Sequence, residues 1–343
     1  MKALRWYARK DLRYEDVPEP SPGPGQLKVK VSLAGICGSD LKEYADGPNM
    51  IDPTKVPIIS GHEFVGRVAE LGKGVTNFKV GERVAAVGYW YCGECYFCKR
   101  AMYNICTNAG FVGLTTDGCM AEYVIIPSYA AYQLPDSVSD ELGALVEPLA
   151  VAFHAVHQGN VRPGDTVAIV GAGTIGLSVL LAAKATGASE VYLVDKVKRR
   201  GECALAMGAA AFINPEDEDP VQRVKDLTDG LGADVSFECV GIQATAQLAQ
   251  KLARSGGNIV IVGVFEAPAS MDLFDLMFNQ KTMVGSSIYV HEASTVIALL
   301  ADKRIDPHRL ITAKVPLKDA VEMGFEKLVT NKEDNIKTLL QVA

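Results

Sequence analysis

The amino-acid sequence predicts an α/β protein with two domains, a β-rich domain followed by a doubly wound parallel sheet. Three observations support this prediction. The chain has 343 residues, which is more than one typical core holds. Before Glu141, short β-type runs alternate with turns that are rich in Gly and Pro. From Thr166 onward, apolar runs alternate with helical stretches, which is typical of a parallel sheet covered on both faces.

The part of the chain before Glu141 predicts a small barrel or sandwich. In Leu27–Leu33, polar and apolar side chains alternate with a period of two, as they do in a half-buried strand. Turns such as PGPG and KVGE separate the runs at short intervals. Further predicted strands are Phe64–Glu70, Glu82–Val87 and Glu122–Ile126.

The second part of the chain predicts a doubly wound parallel sheet. Helical stretches such as Thr174–Thr186 and Ile242–Arg254 lie between most of its apolar runs. Because this sheet already has six strands, we expect the final β-like run, Lys337–Val342, to return to the first domain. The six predicted strands are Thr166–Val170, Glu190–Val194, Ala211–Ile213, Asp234–Cys239, Asn258–Val262 and Thr282–Ser286.

Composition and charge exclude several classes of protein. The net charge is -7, from 34 basic and 41 acidic side chains, and no basic block is present, which disfavours binding to nucleic acid or to an anionic membrane. No apolar run approaches the roughly 18 residues of a membrane span. The first residues, MKALRWYARK, contain charges and no apolar segment, so we expect no secretory signal and a cytoplasmic protein.

Four of the eight cysteines lie in one loop and predict a structural zinc site. Their spacing is Cys92-x2-Cys95-x2-Cys98-x7-Cys106. Four thiolates complete a tetrahedral zinc and leave no position for water or substrate. The alternatives are free buried thiols or an iron–sulfur cluster, but the Cys-Pro ending of ferredoxin-type motifs is absent.

A second motif, Gly171-Ala-Gly173-Thr174-Ile175-Gly176, predicts a dinucleotide site because it follows an apolar strand and opens a helix. Gly171 serves the tight turn, Gly173 lets the backbone approach a pyrophosphate, and Gly176 lets helix and strand pack closely. Asp195 ends the next strand, where a carboxylate binds ribose hydroxyls and favours NAD over NADP. The basic residues that follow it leave NADP open. The alternative is a packing turn with a charged surface run.

Three further residues supply the donor set of a catalytic zinc. Cys37 lies in GICGSD, His62 in GHE and Glu147 in VEP. One thiolate, one imidazole and one carboxylate leave a coordination position for a water or an alkoxide. Taken singly, these residues could be a core thiol, a turn residue and a helix cap.

Together these motifs resemble the zinc-containing medium-chain dehydrogenase/reductase (MDR) family along nearly the whole chain. The resemblance implies a GroES-like catalytic zinc domain, residues 1–150 and 288–343, and a Rossmann NAD-binding domain, residues 151–287. It also implies homodimers or homotetramers joined through Rossmann sheet edges, with Met283–Val290 at that edge. The motifs are GICGSD, GHEFVG, VGERVA, the four-cysteine loop, VEPLAV and GAGTIG.

The resemblance also implies roles for individual residues of the zinc domain. Cys37 and His62 match zinc ligands of the family. Glu63 and Glu147 are both candidates for the third ligand, and their order stays open. Ser39 matches the hydroxyl that passes the substrate proton outward, and Asp40 matches a carboxylate that orients the zinc-binding histidine.

In the Rossmann half, four positions match the walls of the cofactor site. Arg200 stands where the family places a basic residue near the adenosine ribose. Val240, Gly263 and Val264 resemble the walls beside adenosine and nicotinamide.

The implied function is an NAD-dependent alcohol dehydrogenase with two zinc ions per chain, one catalytic and one structural. The motifs resemble the 2,3-butanediol and polyol branch best, so the expected substrate is a secondary alcohol or its ketone, with 2,3-butanediol and acetoin first. Sorbitol, xylitol and threonine stay open as alternative substrates. Two further alternatives are a non-catalytic sensor that binds zinc and NAD, and a zinc-free enone reductase.

Overall fold

A computed structural model describes residues 1–331, 333 and 335–342. The chain forms two compact units. The first contains Met1–Glu147, Ala293–Lys303 and the described residues from Ile311 onward, and the second contains Pro148–Glu292 and Arg304–Leu310. The fold is of the predicted α/β class. Within the described residues, no helix is both long enough and apolar enough to cross a membrane.

The strands of the first unit have two to ten residues, and those of the second unit have three to nine. In chain order they are β1 (Lys2–Ala8), β2 (Asp11–Asp16), β3 (Gln26–Gly35), β4 (Ile58–Ile59), β5 (Glu63–Leu71), β6 (Arg83–Ala86), β7 (Tyr89–Trp90), β8 (Gly110–Phe111), β9 (Tyr123–Pro127), β10 (Ala131–Gln133), β11 (Thr166–Val170), β12 (Glu190–Val194), β13 (Ala211–Ile213), β14 (Ala233–Glu238), β15 (Ala253–Ile261), β16 (Thr282–Gly285), β17 (Ile311–Pro316) and β18 (Lys337–Gln341).

The α-helices lie mostly in the second unit, between its parallel strands. They are α1 (Gly38–Asp46), α2 (Asp140–Gly143), α3 (Val146–Gln158), α4 (Thr174–Thr186), α5 (Lys198–Ala206), α6 (Pro220–Asp226), α7 (Gln243–Leu252), α8 (Leu273–Phe278), α9 (Glu292–Ala301) and α10 (Glu326–Thr330).

The first unit is built on a sheet in the order β10-β6-β5-β3-β18-β17, with β9 also paired to β3. Two smaller sheets have the orders β2-β1-β4 and β7-β8. The final strand, β18, runs antiparallel to β3 with Leu339 opposite Gly35, so the prediction that the end of the chain returns to the β-rich part is confirmed. This pairing places the last described strand beside residues 33–35 of β3.

The second unit is built on a parallel sheet in the order β13-β12-β11-β14-β15-β16. Strands β11, β12 and β13 begin and end at the predicted residues, and β15 begins earlier than predicted, at Ala253. Residues such as Val167, Leu193 and Phe237 are fully buried. Continuous apolar strands are expected where helices cover both faces of a sheet.

Candidate active site and metal centres

The starts of two neighbouring elements bring the predicted zinc ligands together. Cys37 directly precedes α1, and His62 directly precedes β5, whose first residue is Glu63. β5 pairs with β3 so that Glu63 lies opposite Gly35. A Cβ atom on Gly35 would lie 2.1 Å from Oε2 of Glu63, so glycine is needed there to leave room for the carboxylate.

The side chains of Cys37, His62 and Glu63 converge on one point. One ligand atom from each residue lies within 4.8 Å of the other two. A sulfur, a nitrogen and an oxygen at this spacing suit a tetrahedral zinc with one open position. His62 Nδ1 is buried and makes no hydrogen bond with the described residues. The donor set therefore fits a catalytic metal.

Asp40 connects the two ligand segments. Its Oδ2 accepts a 2.9 Å hydrogen bond from the Cys37 backbone N–H, and its Oδ1 lies 3.8 Å from His62 Nδ1. Burial opposes a charge on His62, but Asp40 and Cys37 outweigh it and raise the pKa of the imidazole well above its ordinary value. Burial also raises the pKa of Asp40, and His62 opposes that change.

Ser39 and Glu147 lie beside this group. The hydroxyl oxygen of Ser39 is 3.4 Å from His62 Nε2. Glu147, the second residue of α3, is buried, and its charge contributes to raising the pKa of His62 and of Lys337. Among the described residues, the group that converges within 4.8 Å contains Glu63 and does not contain Glu147.

Lys337 is a site residue that the sequence interpretation missed. Its Nζ donates to Glu63 Oε1 at 2.8 Å, to Glu63 Oε2 at 2.7 Å and to the Ile36 carbonyl at 2.9 Å. Burial lowers the pKa of Lys337, but Glu63 and Cys37 outweigh burial and raise it. The one available signal in the sequence is a cation at the start of the final predicted strand.

The four clustered cysteines form a second convergent group. Their Sγ atoms lie 3.5 Å apart for Cys92 and Cys106, 3.9 Å for Cys95 and Cys106, and 4.0 Å for Cys92 and Cys98. Four sulfurs about 2.3 Å from a zinc define a tetrahedron with edges of about 3.8 Å. The spacing of the thiols therefore fits a zinc with four cysteine ligands.

Backbone N–H groups around this loop stabilise thiolates. The N–H of Cys95 lies 3.4 Å from Cys92 Sγ, and the N–H of Cys98 lies 3.5 Å from Cys95 Sγ. The N–H groups of Cys98 and Thr107 lower the pKa of Cys95 to about 5. Those of Glu94 and Cys95 lower the pKa of Cys92. The thiolate forms of Cys92 and Cys95, which a metal would bind, are therefore favoured.

The predicted dinucleotide motif has the expected geometry at each glycine. Gly171 has a φ of +102° and donates to the Val194 carbonyl at 2.8 Å, directly after β11. A Cβ on Gly176 would lie 1.7 Å from the Gly171 carbonyl oxygen, whereas a Cβ on Gly173 would meet nothing within 4 Å. Gly176 thus serves packing, and open space lies above Gly173. Thr174 and Ile175, at the start of α4, are half-buried.

Asp195 lies beyond the end of β12 and organises the neighbouring turns. Its Oδ2 accepts the Ala172 N–H at 2.7 Å and its Oδ1 accepts the Val197 N–H at 2.8 Å. Arg200 lies at ion-pair distance, 3.7 Å from Asp195 Oδ2. These bonds fix the carboxylate beside the glycine motif, where a ribose is expected to bind.

The remaining predicted cofactor residues lie beyond the ends of β14 and β15. Val240 and Val264 are 46% and 62% exposed, which is unusual for valines beside a buried sheet. Gly263 is half-buried. The structure therefore presents two exposed apolar side chains at the edge of the sheet where dinucleotides bind in doubly wound folds.

Comparison with known proteins agrees with these observations. Residues 23–136 match the family model of the alcohol dehydrogenase GroES-like domain, and residues 174–302 match that of zinc-binding dehydrogenases. The (R,R)-butanediol dehydrogenase of Bacillus subtilis (strain 168) is 36% identical over 99% of both chains. The sorbitol dehydrogenase of the same strain is 33% identical over 99% of this chain and 97% of its own.

Solved structures extend the similarity to the whole fold. A crystal structure of 2R,3R-butanediol dehydrogenase from Bacillus subtilis has a TM-score of 0.92 at 36% identity, covering 100% of this chain and 99% of its own. A dehydrogenase structure from Sinorhizobium meliloti 1021 with bound NADP has a TM-score of 0.91 at 31% identity, covering 99% and 98%. The chain therefore belongs to the zinc-containing medium-chain dehydrogenase/reductase family, in its butanediol and polyol dehydrogenase branch, and is an oxidoreductase of CH–OH donors that uses zinc and a nicotinamide cofactor.

Proposed function

We propose that the protein is an NAD-dependent dehydrogenase that interconverts 2,3-butanediol and acetoin at a zinc site. The observation that carries the proposal is the convergence of Cys37, His62 and Glu63 within 4.8 Å in a chain that also has a dinucleotide motif. We assign the catalytic zinc site to these three residues and a structural zinc to the four-cysteine loop. Residues 1–150 and 288–343 would form the catalytic domain, and residues 151–287 the NAD-binding domain.

Glu63 is the proposed third zinc ligand, and Glu147 has a supporting role. The carboxylate of Glu63 shares the convergent point with the thiol and the imidazole, while Glu147 acts on the same groups through its charge. Lys337 compensates the charge of Glu63, so the buried acid does not stand alone when the zinc site is empty.

When bound, zinc supplies a Lewis acid that lowers the pKa of a coordinated hydroxyl toward about 7, and NAD supplies the hydride acceptor. The residues of the chain orient these groups and move the proton. Ser39, 3.4 Å from His62 Nε2, would accept the proton that leaves the substrate hydroxyl. Asp40 holds the Cys37 backbone and carries a compensating charge beside His62.

NAD is the proposed cofactor because Asp195 would accept hydrogen bonds from both ribose hydroxyls and repel a 2′-phosphate. The nearby lysines are partly neutralised, since Lys196 lies 3.6 Å from Glu216 and Lys198 lies 3.7 Å from Asp217. This arrangement favours NAD, although the related Sinorhizobium structure contains NADP.

A vicinal diol is the proposed substrate because the site is rich in carboxylates. One hydroxyl would bind at the zinc, and the other would donate to Glu147. Replacing Glu147 with Gln should therefore narrow the difference in kcat/KM between 2,3-butanediol and 2-butanol. Equal kcat/KM values for the two alcohols in the wild-type enzyme would contradict the diol preference.

The test of function is a panel of substrates followed through NADH absorbance. Butanediol stereoisomers, acetoin, sorbitol, xylitol and threonine are each assayed with NAD and with NADP. The proposal expects the highest kcat/KM for a butanediol isomer with NAD. Faster turnover of sorbitol or xylitol would favour a polyol dehydrogenase, to which the sorbitol dehydrogenase relative also points. Faster turnover of threonine would favour a threonine dehydrogenase.

A cysteine variant separates an enzyme from a non-catalytic sensor. Cys37→Ser should abolish turnover. Cys203 is a half-buried thiol outside both groups of candidate metal ligands, so Cys203→Ser should leave turnover unchanged. Full activity of the Cys37→Ser variant would contradict catalysis at this zinc site. Two zinc ions per chain by metal analysis would exclude a zinc-free enone reductase.

We also propose that the enzyme is a homodimer or homotetramer joined at the edge strand β16. The neighbouring helix α8 exposes four large apolar side chains, and an uncovered β edge with an apolar flank favours a second copy. A one-subunit mass by gel filtration would contradict this. The four exposed residues of α8 are Leu273, Phe274, Met277 and Phe278.

The cytoplasm is the proposed location of the protein, in line with eight cysteines that form no disulfide.

A further inference from the structure

Glu238, the last residue of β14, is completely buried and forms hydrogen bonds with two turns. Its backbone carbonyl accepts the N–H groups of Val262 at 2.9 Å and Gly263 at 3.0 Å. Its Oε1 accepts the N–H groups of Val240 and Gly241, each at 2.8 Å. One residue therefore holds the turn after β14 and the turn after β15.

The hydroxyl of Thr245 completes the set of donors to Glu238. It donates to Glu238 Oε1 at 2.7 Å and lies at the start of α7, close to the Ile242 carbonyl at 2.9 Å. The turn between β14 and α7 is thus bonded to one carboxylate oxygen at its beginning and at its end. Three donors on one oxygen offset much of the cost of burying the carboxylate.

The second oxygen of Glu238 explains a glycine in the neighbouring turn. Oε2 makes no hydrogen bond with the described residues. A Cβ on Gly263 would lie 2.4 Å from this oxygen and 2.3 Å from the Gly241 nitrogen, and a Cβ on Gly241 would lie 2.4 Å from the Val264 carbonyl. The two turns therefore fit against each other only as glycines, with the carboxylate between them.

Each turn carries one of the exposed valines. Val240 follows Glu238 by two residues, and Val264 follows Gly263 directly. Val240 and Val264 are 46% and 62% exposed, so both contribute apolar surface at this edge of the sheet. An apolar residue in place of Glu238 would leave the N–H groups of Val240 and Gly241 without this acceptor, so the buried carboxylate is explained by the geometry that it imposes on the two turns.

We propose that Glu238 is a positioning residue which holds Val240 and Val264 in place as a wall of the dinucleotide site. The inference rests on the proposed function, since that function supplies the ligand. Glu238 itself does not touch the cofactor. Its carboxylate fixes the separation of the two valines, so that the site is formed before the dinucleotide binds.

The experiment compares Glu238→Ala and Glu238→Gln in the zinc-loaded enzyme. The Ala variant loses the acceptor for three donors, so its Kd for NADH, measured by fluorescence, should rise at least about tenfold. The KM for NAD should rise similarly, while kcat at saturating NAD stays within about threefold of wild type. Glu238→Gln keeps an oxygen for the three donors and should restore most of the affinity.

Hydrogen exchange provides a readout that does not depend on the cofactor. Protection of the Val240 and Gly241 amides should fall in Glu238→Ala, while the amides within β14 keep theirs. Ser236→Ala is the matched control, because Ser236 lies on the same strand, is fully buried, and its hydroxyl has no hydrogen-bond partner among the described residues. This control should bind NADH like the wild type.

Wild-type NADH affinity in Glu238→Ala would overturn the inference, with or without a change in exchange. A fall in kcat with an unchanged KM for NAD would also overturn it. If Glu238→Ala does not fold, two variants of Thr245 test the same inference. Thr245→Val removes the hydroxyl that donates to Glu238 and should weaken NADH binding. Thr245→Ser keeps a hydroxyl and should bind NADH like the wild type. Failure of the wild-type protein to bind either dinucleotide would overturn the proposed function, and it is observed before any variant is compared.

Discussion

Lys337 and Glu63 form a buried ion pair at the zinc-ligand group, with Nζ 2.7 Å from Oε2 and 2.8 Å from Oε1. Their side chains are 2% and 1% exposed. The third N–H of the ammonium donates to the Ile36 carbonyl, so each of its protons has an acceptor. An ion pair of this kind adds little net stability over an apolar pair, but either partner alone leaves a buried charge.

Replacing Lys337 with Met should therefore destabilise the protein strongly. In protein without zinc at the group of Cys37, His62 and Glu63, we expect a loss of about 3–5 kcal/mol in the free energy of unfolding, because the buried Glu63 carboxylate would have lost its cationic partner. Urea unfolding of the wild-type and variant proteins measures the loss. Lys337→Arg keeps the cation and should recover a large part of it.

A double-mutant cycle shows whether the loss comes from the ion pair. Glu63→Gln combined with Lys337→Met should cost clearly less than the two single changes added together, since neither charge remains. Additive losses would contradict a direct coupling between the two side chains. The zinc content of each variant, measured in parallel, shows how far the metal compensates for the missing cation.

The sequence was sufficient to predict the elements whose signals are local. β11, β12 and α4 begin and end where the apolar runs and the glycine motif predict them, because strand, turn and helix are adjacent in the chain. The four cysteines were recognisable for the same reason, since their spacing alone brings them into one loop.

Lys337 could not be assigned from the sequence because its role depends on strand pairing. β18 reaches Glu63 only by pairing with β3, with Leu339 opposite Gly35, at a separation of most of the chain. Periodicity predicts which residues share a face of a strand, but not which strand lies next to it. The sequence likewise leaves the order of Glu63 and Glu147 open, because each lies in a motif of the family.

The glycine motif offers a pair of variants that separates packing from ligand binding. In Gly176→Ala the new methyl group would lie 1.7 Å from the Gly171 carbonyl oxygen, so the turn must move. We expect both a lower Tm and weaker NADH binding. In Gly173→Ala the methyl group meets nothing within 4 Å, so the Tm should stay at the wild-type value.

Binding of the dinucleotide is the measurement that matters for Gly173→Ala. The methyl group would occupy the space where the pyrophosphate must approach the backbone, so we expect the Kd for NADH to rise at least about tenfold. Thermal unfolding without cofactor and NADH fluorescence titration together give both quantities. Wild-type affinity in this variant would show that the cofactor does not use the space above Gly173.

The four-cysteine loop should hold a zinc that is independent of catalysis. Cys98→Ser removes a buried thiol whose Sγ lies 4.0 Å from Cys92 Sγ. We expect metal analysis to fall from two zinc ions per chain to one, and the Tm to fall with it, because structural zinc contributes directly to folding. Two zinc ions retained in Cys98→Ser would contradict the assignment. Cys203→Ser, outside both groups, is the control.

Part of the loss of stability on acidification should come from Glu292, whose carboxylate accepts hydrogen bonds in the turn before α9. Its Oε2 accepts the Val290 N–H at 2.6 Å and the His291 N–H at 2.9 Å, and its Oε1 lies 2.8 Å from His154 Nδ1. Burial opposes its ionisation, but the bonds from His154 and Val290 outweigh burial and lower its pKa from 4.5 to about 2. The carboxylate therefore stabilises the folded state only where it is ionised.

Glu292→Gln should cost about 1–2 kcal/mol at pH 7, allowing for solvent screening of a partly exposed group. Because the folded-state pKa is the lower one, this contribution is complete above the unfolded value of 4.5 and disappears as the pH falls toward about 2. Urea unfolding at several pH values between 7 and 3 measures the difference between wild type and variant. Glu202→Gln, which removes an exposed charge on α5, serves as the control. A difference for Glu292→Gln that stays constant across this range would show that the carboxylate does not act through its charge.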